Sequence, residues 1–103
     1  MSQDKILQLD PIVHAPVRLA ILSILITVEN AHFTFLKELT KTTDGNLNTH
    51  LSKLEQSGYV RIKKTFQGKK PLTLCSITKK GEKAFHLYLE QLDQIVHNQK
   101  NKP

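Results

Sequence analysis

Apolar and polar positions follow two periods along this chain. From Val17 to Val28 the sequence is apolar on nearly every side of a helix, through Ala20, Ile21, Leu22, Ile24 and Leu25. Such a stretch is a central core helix or a membrane span, and about a dozen residues are too few to span. Pro16 suits its first turn, where a missing N–H removes no hydrogen bond. Phe33 and Phe35 flank Thr34, the expected cap of a short second helix through Leu36, Leu39 and Lys41. After the polar break Thr42-Thr43-Asp44-Gly45, Leu47, Leu51 and Leu54 recur at helical spacing and predict a third helix. Gly58 is its expected stop, because glycine takes a positive φ without a Cβ penalty.

The period then changes to two. Over Tyr59–Phe66, Val60 and Ile62 alternate against Arg61 and Lys63, as in a half-buried strand. Gln67–Pro71 is a turn cluster and Leu72–Ile77 a second strand, giving a hairpin with a basic tip. Thr78 caps a last helix whose stripe is Phe85, Tyr88, Leu89, Leu92, Ile95 and Val96. The predicted order is α-α-α-β-β-α, mainly α with a small β-hairpin (α+β). One domain is expected over 1–103, with its core in 13–80, a C-terminal helix over 79–97 and a frayed tail at 98–103.

Composition narrows the function. The chain has 103 residues, 39% hydrophobic and 23% charged, an ordinary globular balance. Its net charge of +6 is concentrated: residues 41–83 carry ten Lys or Arg against three acids, and the stretch Arg61–Lys70 holds five cations and no acid. A focused positive field attracts phosphate backbones through counterion release. A lysine-rich surface kept for solubility is the alternative. Cys75 is the sole cysteine, so neither an intrachain disulfide nor a multi-cysteine zinc site can form. Cys75 is read as a small buried hydrophobe, with redox sensing as the other option. No apolar run reaches the ~18 residues of a span, and the first residues lack a signal peptide's order. A cytoplasmic location is expected. His14, His32, His50, His86 and His97 include no i, i+4 pair, so no metal site is expected. With no glycine-rich phosphate loop and no base beside Cys75 in sequence, neither an enzyme nor a cofactor is expected.

Two short helices joined by a tight turn, the second with a polar outer face, form the helix-turn-helix pattern. At ~100° per residue, Thr49, Ser52 and Gln56 lie opposite the leucines of the third helix, with Asn48 and Lys53 flanking them. Asn and Gln can pair with adenine, Thr can touch a base or the thymine methyl, and Lys favours guanine or phosphate. Lys64, Lys69 and Lys70 on the hairpin would straddle phosphates or enter a minor groove.

These residues resemble the winged helix-turn-helix transcriptional regulators of the broad MarR/ArsR kind, in a short stand-alone form. The resemblance rests on Pro16–Leu22, Asp44–Glu55, Gly58-Tyr59-Val60 and Ile77–Gly81. It implies a homodimer on a pseudo-palindromic duplex, each third helix in a major groove and each wing beside an adjacent minor groove. Carried over by position, Asn46, Asn48, Thr49, His50 and Lys53 face DNA from the helix, and Gln67, Lys69 and Lys70 from the wing. His50 lies toward the core flank, where it could instead support the turn. The dimer is expected to join the projecting part of the last helix to the segment Ile6, Leu7 and Leu9, burying Phe85, Tyr88, Leu89, Leu92, Ile95 and Val96. The rival reading is a winged helix serving as a protein-interaction adaptor. RNA binding is disfavoured because no aromatic stacking surface accompanies the basic patch. Whether a small-molecule effector exists is left open.

Overall fold

Pro16 opens the first helix at a residue with no side-chain cap, and the helix closes after one core face has been used. A computed structural model describes the backbone of residues 8–100 and the side chains of residues 8–97. Helix α1 (Pro16–Leu25) buries Ile21, Leu22 and Leu25 completely. It stops three residues earlier than the sequence suggests, and Val28 is left exposed beyond a short turn.

Strand β1 (Ala31–His32) follows, an element absent from the predicted order. Helix α2 (Phe33–Thr40) starts one residue before Thr34, which therefore is not its cap, and it buries Leu36 while Leu39 stays exposed. It ends in a left-handed Lys41, φ +54°, whose N–H donates to the Lys37 carbonyl. Helix α3 (Asp44–Gln56) begins inside the anticipated polar break, because Thr43 caps it by accepting the Asn46 N–H. Leu47, Leu51 and Leu54 are sealed, each contributing ~1.5–3 kcal/mol of apolar burial. Gly58, φ +79°, turns the chain out of the helix.

Strands β2 (Val60–Gln67) and β3 (Lys70–Ile77) pair antiparallel without interruption from Val60↔Ile77 to Gln67↔Lys70. The turn is thus two residues, Gly68-Lys69, shorter than the five-residue cluster expected. Gly68 has φ +65° and Lys69 has no positive φ, the signature of a type II′ turn. β1 pairs with β3 through Ala31↔Cys75 and His32↔Leu74, giving the sheet order β1-β3-β2. Pro71 is tolerated in the central strand because β1 reaches no farther than Leu74, leaving that end of β3 as an edge.

Helix α4 (Lys79–Lys100) continues past the anticipated end into the expected tail. The radius of gyration is 15.7 Å, against ~13 Å for a compact chain of this length, because elements project from the body. Thr78 caps α4 as predicted: its Oγ1 accepts the Gly81 N–H and donates to the Gly58 carbonyl at 2.6 Å. Gly81 is needed here, since an added Cβ would collide with the Tyr59 carbonyl oxygen and the Ile77 side chain.

Candidate nucleic-acid interface

The leucine spine of α3 faces inward, so the other side of the helix is presented to solvent. Asn46, Asn48, Thr49, Ser52 and Lys53 are all exposed. Thr43 and the adjacent Asp44 hold the start of this helix, the latter through an ion pair with Lys37 at 2.7 Å that bridges α2 to α3. The Thr49 hydroxyl donates to the Gly45 carbonyl at 2.9 Å, leaving its lone pairs and methyl group for an outside partner.

His50 is different. It is half-buried, and its Nδ1 lies 2.9 Å from an Arg18 guanidinium nitrogen. A guanidinium only donates, so Nδ1 must be the accepting nitrogen and the proton sits on Nε2. Burial, then the charges of Arg18 and Lys53, hold this imidazole below its ordinary range. Arg18 is itself buried and also donates to the Ile12 carbonyl at 2.7 Å and the Pro11 carbonyl at 3.4 Å. One guanidinium therefore ties the N-terminal turn and α1 to the middle of α3. Of the two roles open to His50 in the sequence, its inner nitrogen has the structural one, and Nε2–H is the edge left for another contact.

The wing supplies charge. Arg61, Lys63, Lys64, Lys69 and Lys70 are exposed, and among the described residues none is paired with a carboxylate. Gln67 is exposed at the tip beside them. The β-pleat puts Ile62, Lys64 and Thr73 on the face that turns toward α3. There they line a groove of about 500 Å³ with Asn48, Ser52 and Glu55. The structure thus brings Asn48, Ser52 and Lys64 to one groove, while Gln67, Lys69 and Lys70 stand farther out along the arm.

Two residues escaped the sequence reading. The first is Arg18: a cation inside an otherwise apolar helix is a signal that it must find buried partners. The second is Phe66, at the end of the predicted strand, which is 69% exposed on the wing. One exposed aromatic side chain therefore stands on the basic arm.

The expected dimer residues divide. Ile6 and Leu7 lie outside the described residues. Leu9, Phe85, Tyr88 and Ile95 are already buried within this chain, so the view of Ile95 as projecting beyond the domain is corrected. Leu92 packs against the same core, whereas Leu89 and Val96 are exposed seven residues apart on one flank of α4. Cys75 is fully buried on β3, which pushes its thiol up to about 11, with Glu55 adding to the shift. Among the described residues no three His, Cys, Asp or Glu side chains group as a metal site, and no helix is long and apolar enough to cross a membrane.

A capped helix with a polar outer face, followed by a cationic two-stranded arm, defines a winged helix of the DNA-binding kind. Residues 17–96 match the winged helix DNA-binding domain family, and the chain belongs to it. It is 40% identical over 87 residues to an uncharacterised protein of Methanocaldococcus jannaschii, covering 84% of this chain and 95% of that one. Its fold resembles that of a transcriptional regulator homologue from Pyrococcus horikoshii, with a TM-score of 0.85 and 28% identity over 94% of this chain and 95% of the other. A regulator of the ArsR family has the same fold more distantly, with a TM-score of 0.56 and 22% identity over 99% of this chain and 94% of that chain. The MarR/ArsR-like resemblance of the sequence therefore holds at the level of the fold.

Proposed function

We propose that this chain is a homodimeric transcriptional regulator that binds specific double-stranded DNA sequences, with α3 in the major groove and the wing on adjacent phosphates and the minor groove. The observation that carries this reading is the exposed face Asn46, Asn48, Thr49, Ser52 and Lys53 beside five wing cations that have no carboxylate partner among the described residues. Phosphate contacts supply affinity without sequence information, and base-edge contacts supply the choice of sequence. Dimerisation uses the exposed flank of α4 at Leu89 and Val96 with the N-terminal segment at Ile6 and Leu7. Two-fold symmetry then sets half-sites one helical turn apart, ~34 Å. The role is that of a binding protein in the cytoplasm, not of an enzyme.

The test compares two double variants on a site selected from a random duplex pool and on random duplex. Lys69→Ala with Lys70→Ala weakens binding to both and flattens the salt dependence by up to about two units per protomer. Asn48→Ala with Thr49→Ala weakens the selected site by ~1–3 kcal/mol per lost base contact and leaves random duplex unchanged. Equal losses on both DNAs for both variants would refute this division of labour. Absence of duplex binding at low salt would favour the protein-adaptor reading.

A further inference from the structure

On the face of the wing that turns toward α3, the cross-strand rungs run outward as Val60/Ile77, Ile62/Cys75, Lys64/Thr73 and Phe66/Pro71. The first two rungs belong to the core or pack against it, and the third is polar. The fourth is apolar again and open to solvent, with Phe66 69% exposed and Pro71 exposed beside it. The intervening Lys64/Thr73 rung means that this apolar tip is not the margin of the core. Backbone pairing runs the whole length of the arm, because the ladder is complete to Gln67↔Lys70 and closes in a two-residue turn. Lys64 lies one rung inward on the same face, Lys69 is in the turn and Lys70 adjoins Pro71 on the next rung, with no acid anywhere from Arg61 to Lys70. An aromatic group exposed on an arm that carries lysines and no acid fits a polyanion that also offers a surface to unstack.

We infer that Phe66, backed by Pro71, is an apolar wedge that enters the minor groove of duplex DNA at the wing tip, partly separates two base pairs and bends the helix. The inference rests on the duplex-binding reading above and goes beyond it, since the wing then reads deformability as well as charge. Wedge residues unstack a step and kink the duplex away from the minor groove. Pyrimidine–purine steps unstack most readily, so Phe66 confers a preference for TA or CA steps under the wing. The lysines bring the phosphates on either side of the groove to the arm, and the ring needs no charge of its own.

The experiment uses the full chain and a 30-base-pair mixed-sequence duplex pool. The same duplexes carry donor and acceptor dyes at their ends to report bending. Phe66→Ala is expected to bind about tenfold more weakly, in line with the loss of one aromatic stacking contact. Its salt slope stays that of the parent, because no cation is removed, and the shortening of the end-to-end distance disappears. Phe66→Leu, which keeps an apolar wedge, retains most of both, whereas Lys69→Ala lowers the salt slope and keeps the bend. If Phe66→Ala binds and bends the duplex as the parent does, the wedge is refuted while the regulator reading stands. If the parent binds no duplex at all, both fall together. A Phe66→Ala loss confined to a single-stranded 30-mer, to vesicles of three parts phosphatidylcholine to one part phosphatidylserine, or to self-association in sedimentation would also refute it.

Discussion

Replacing Arg18 by Met removes a cation that is only 8% exposed and keeps most of its aliphatic stem. Two of its hydrogen bonds are short, to the Ile12 carbonyl at 2.7 Å and to His50 Nδ1 at 2.9 Å, and the third, to the Pro11 carbonyl at 3.4 Å, is weak. Hydrogen bonds to charged groups contribute ~1.5–3 kcal/mol each, so the two good ones sum to roughly 3–6 kcal/mol. Relief of guanidinium desolvation offsets part of that loss. The net cost is then about 2–3 kcal/mol. Urea unfolding followed by circular dichroism should show a midpoint lower by about 1–2 M for a domain of this size. Arg18→Lys should fall between, because an ammonium cannot reproduce the planar fork. A second readout comes from the His50 resonances, whose titration should move up when the neighbouring cation is removed. An Arg18→Met unfolding free energy within about 0.5 kcal/mol of the parent's would refute the claim that this guanidinium anchors α3.

The pH dependence has a definite sign: the folded His50 binds its proton less readily than the unfolded chain does, at an ordinary value of 6.5. The stability it contributes is present above pH 6.5 and is lost as pH falls through the folded value. His50→Asn, neutral throughout and still able to accept from Arg18, should flatten that part of a urea-midpoint profile measured from pH 7.5 to 5. Gly81→Ala should lower the melting temperature, since the collision with the Tyr59 carbonyl, costing ~1–3 kcal/mol, outweighs the ~1 kcal/mol that Ala gains in helix propensity. Cys75, fully buried and with its thiol pushed up to about 11, should react with iodoacetamide far more slowly in the folded protein than in urea, and equal rates would contradict its burial.

Much of this fold was legible because long periodic segments report their own burial. Leu47, Leu51 and Leu54 point inward as their spacing requires, and Thr78 caps α4 as its position before the amphipathic run implies. What escaped has physical causes. A two-residue strand such as Ala31–His32 is shorter than a pattern can be, and it exists only because β3 offers it partners from far along the chain. Helix ends moved because α1 stops where its core face is complete, and because Thr43 supplies a cap that places Asp44 and Gly45 in the first turn of α3. The polar face of α3 was readable from spacing, but the roles of Arg18 and His50 depend on a contact across 32 residues. Phe66 follows the same alternation as Val60 and Ile62. Sequence alone does not tell how far along the strand the core extends.

The joint between Ser57 and Gly81 explains how the two halves of the interface keep a fixed relation. The Tyr59 N–H donates to the Leu54 carbonyl at 2.9 Å, so the end of α3 and the start of the wing are one hydrogen-bonded unit. The wing returns to the same place. There the Thr78 N–H donates to the Tyr59 carbonyl at 3.0 Å, and the Thr78 hydroxyl donates to the Gly58 carbonyl. The Tyr59 phenol extends the joint by donating to the Asp10 carboxylate, with its acidity weakened by burial and by Asp10, and the Lys80 ammonium lies 5.8 Å from its ring centre. Four elements therefore meet at one stitched corner: the end of α3, both roots of the wing and the first turn of α4. A rotation of α4 would have to break these hydrogen bonds or be passed on to the wing and α3. In the proposed dimer on the flank of α4, the packing of that helix would set the separation and tilt of the two proposed DNA-binding surfaces, and spacing selectivity would be decided at a distance from any base.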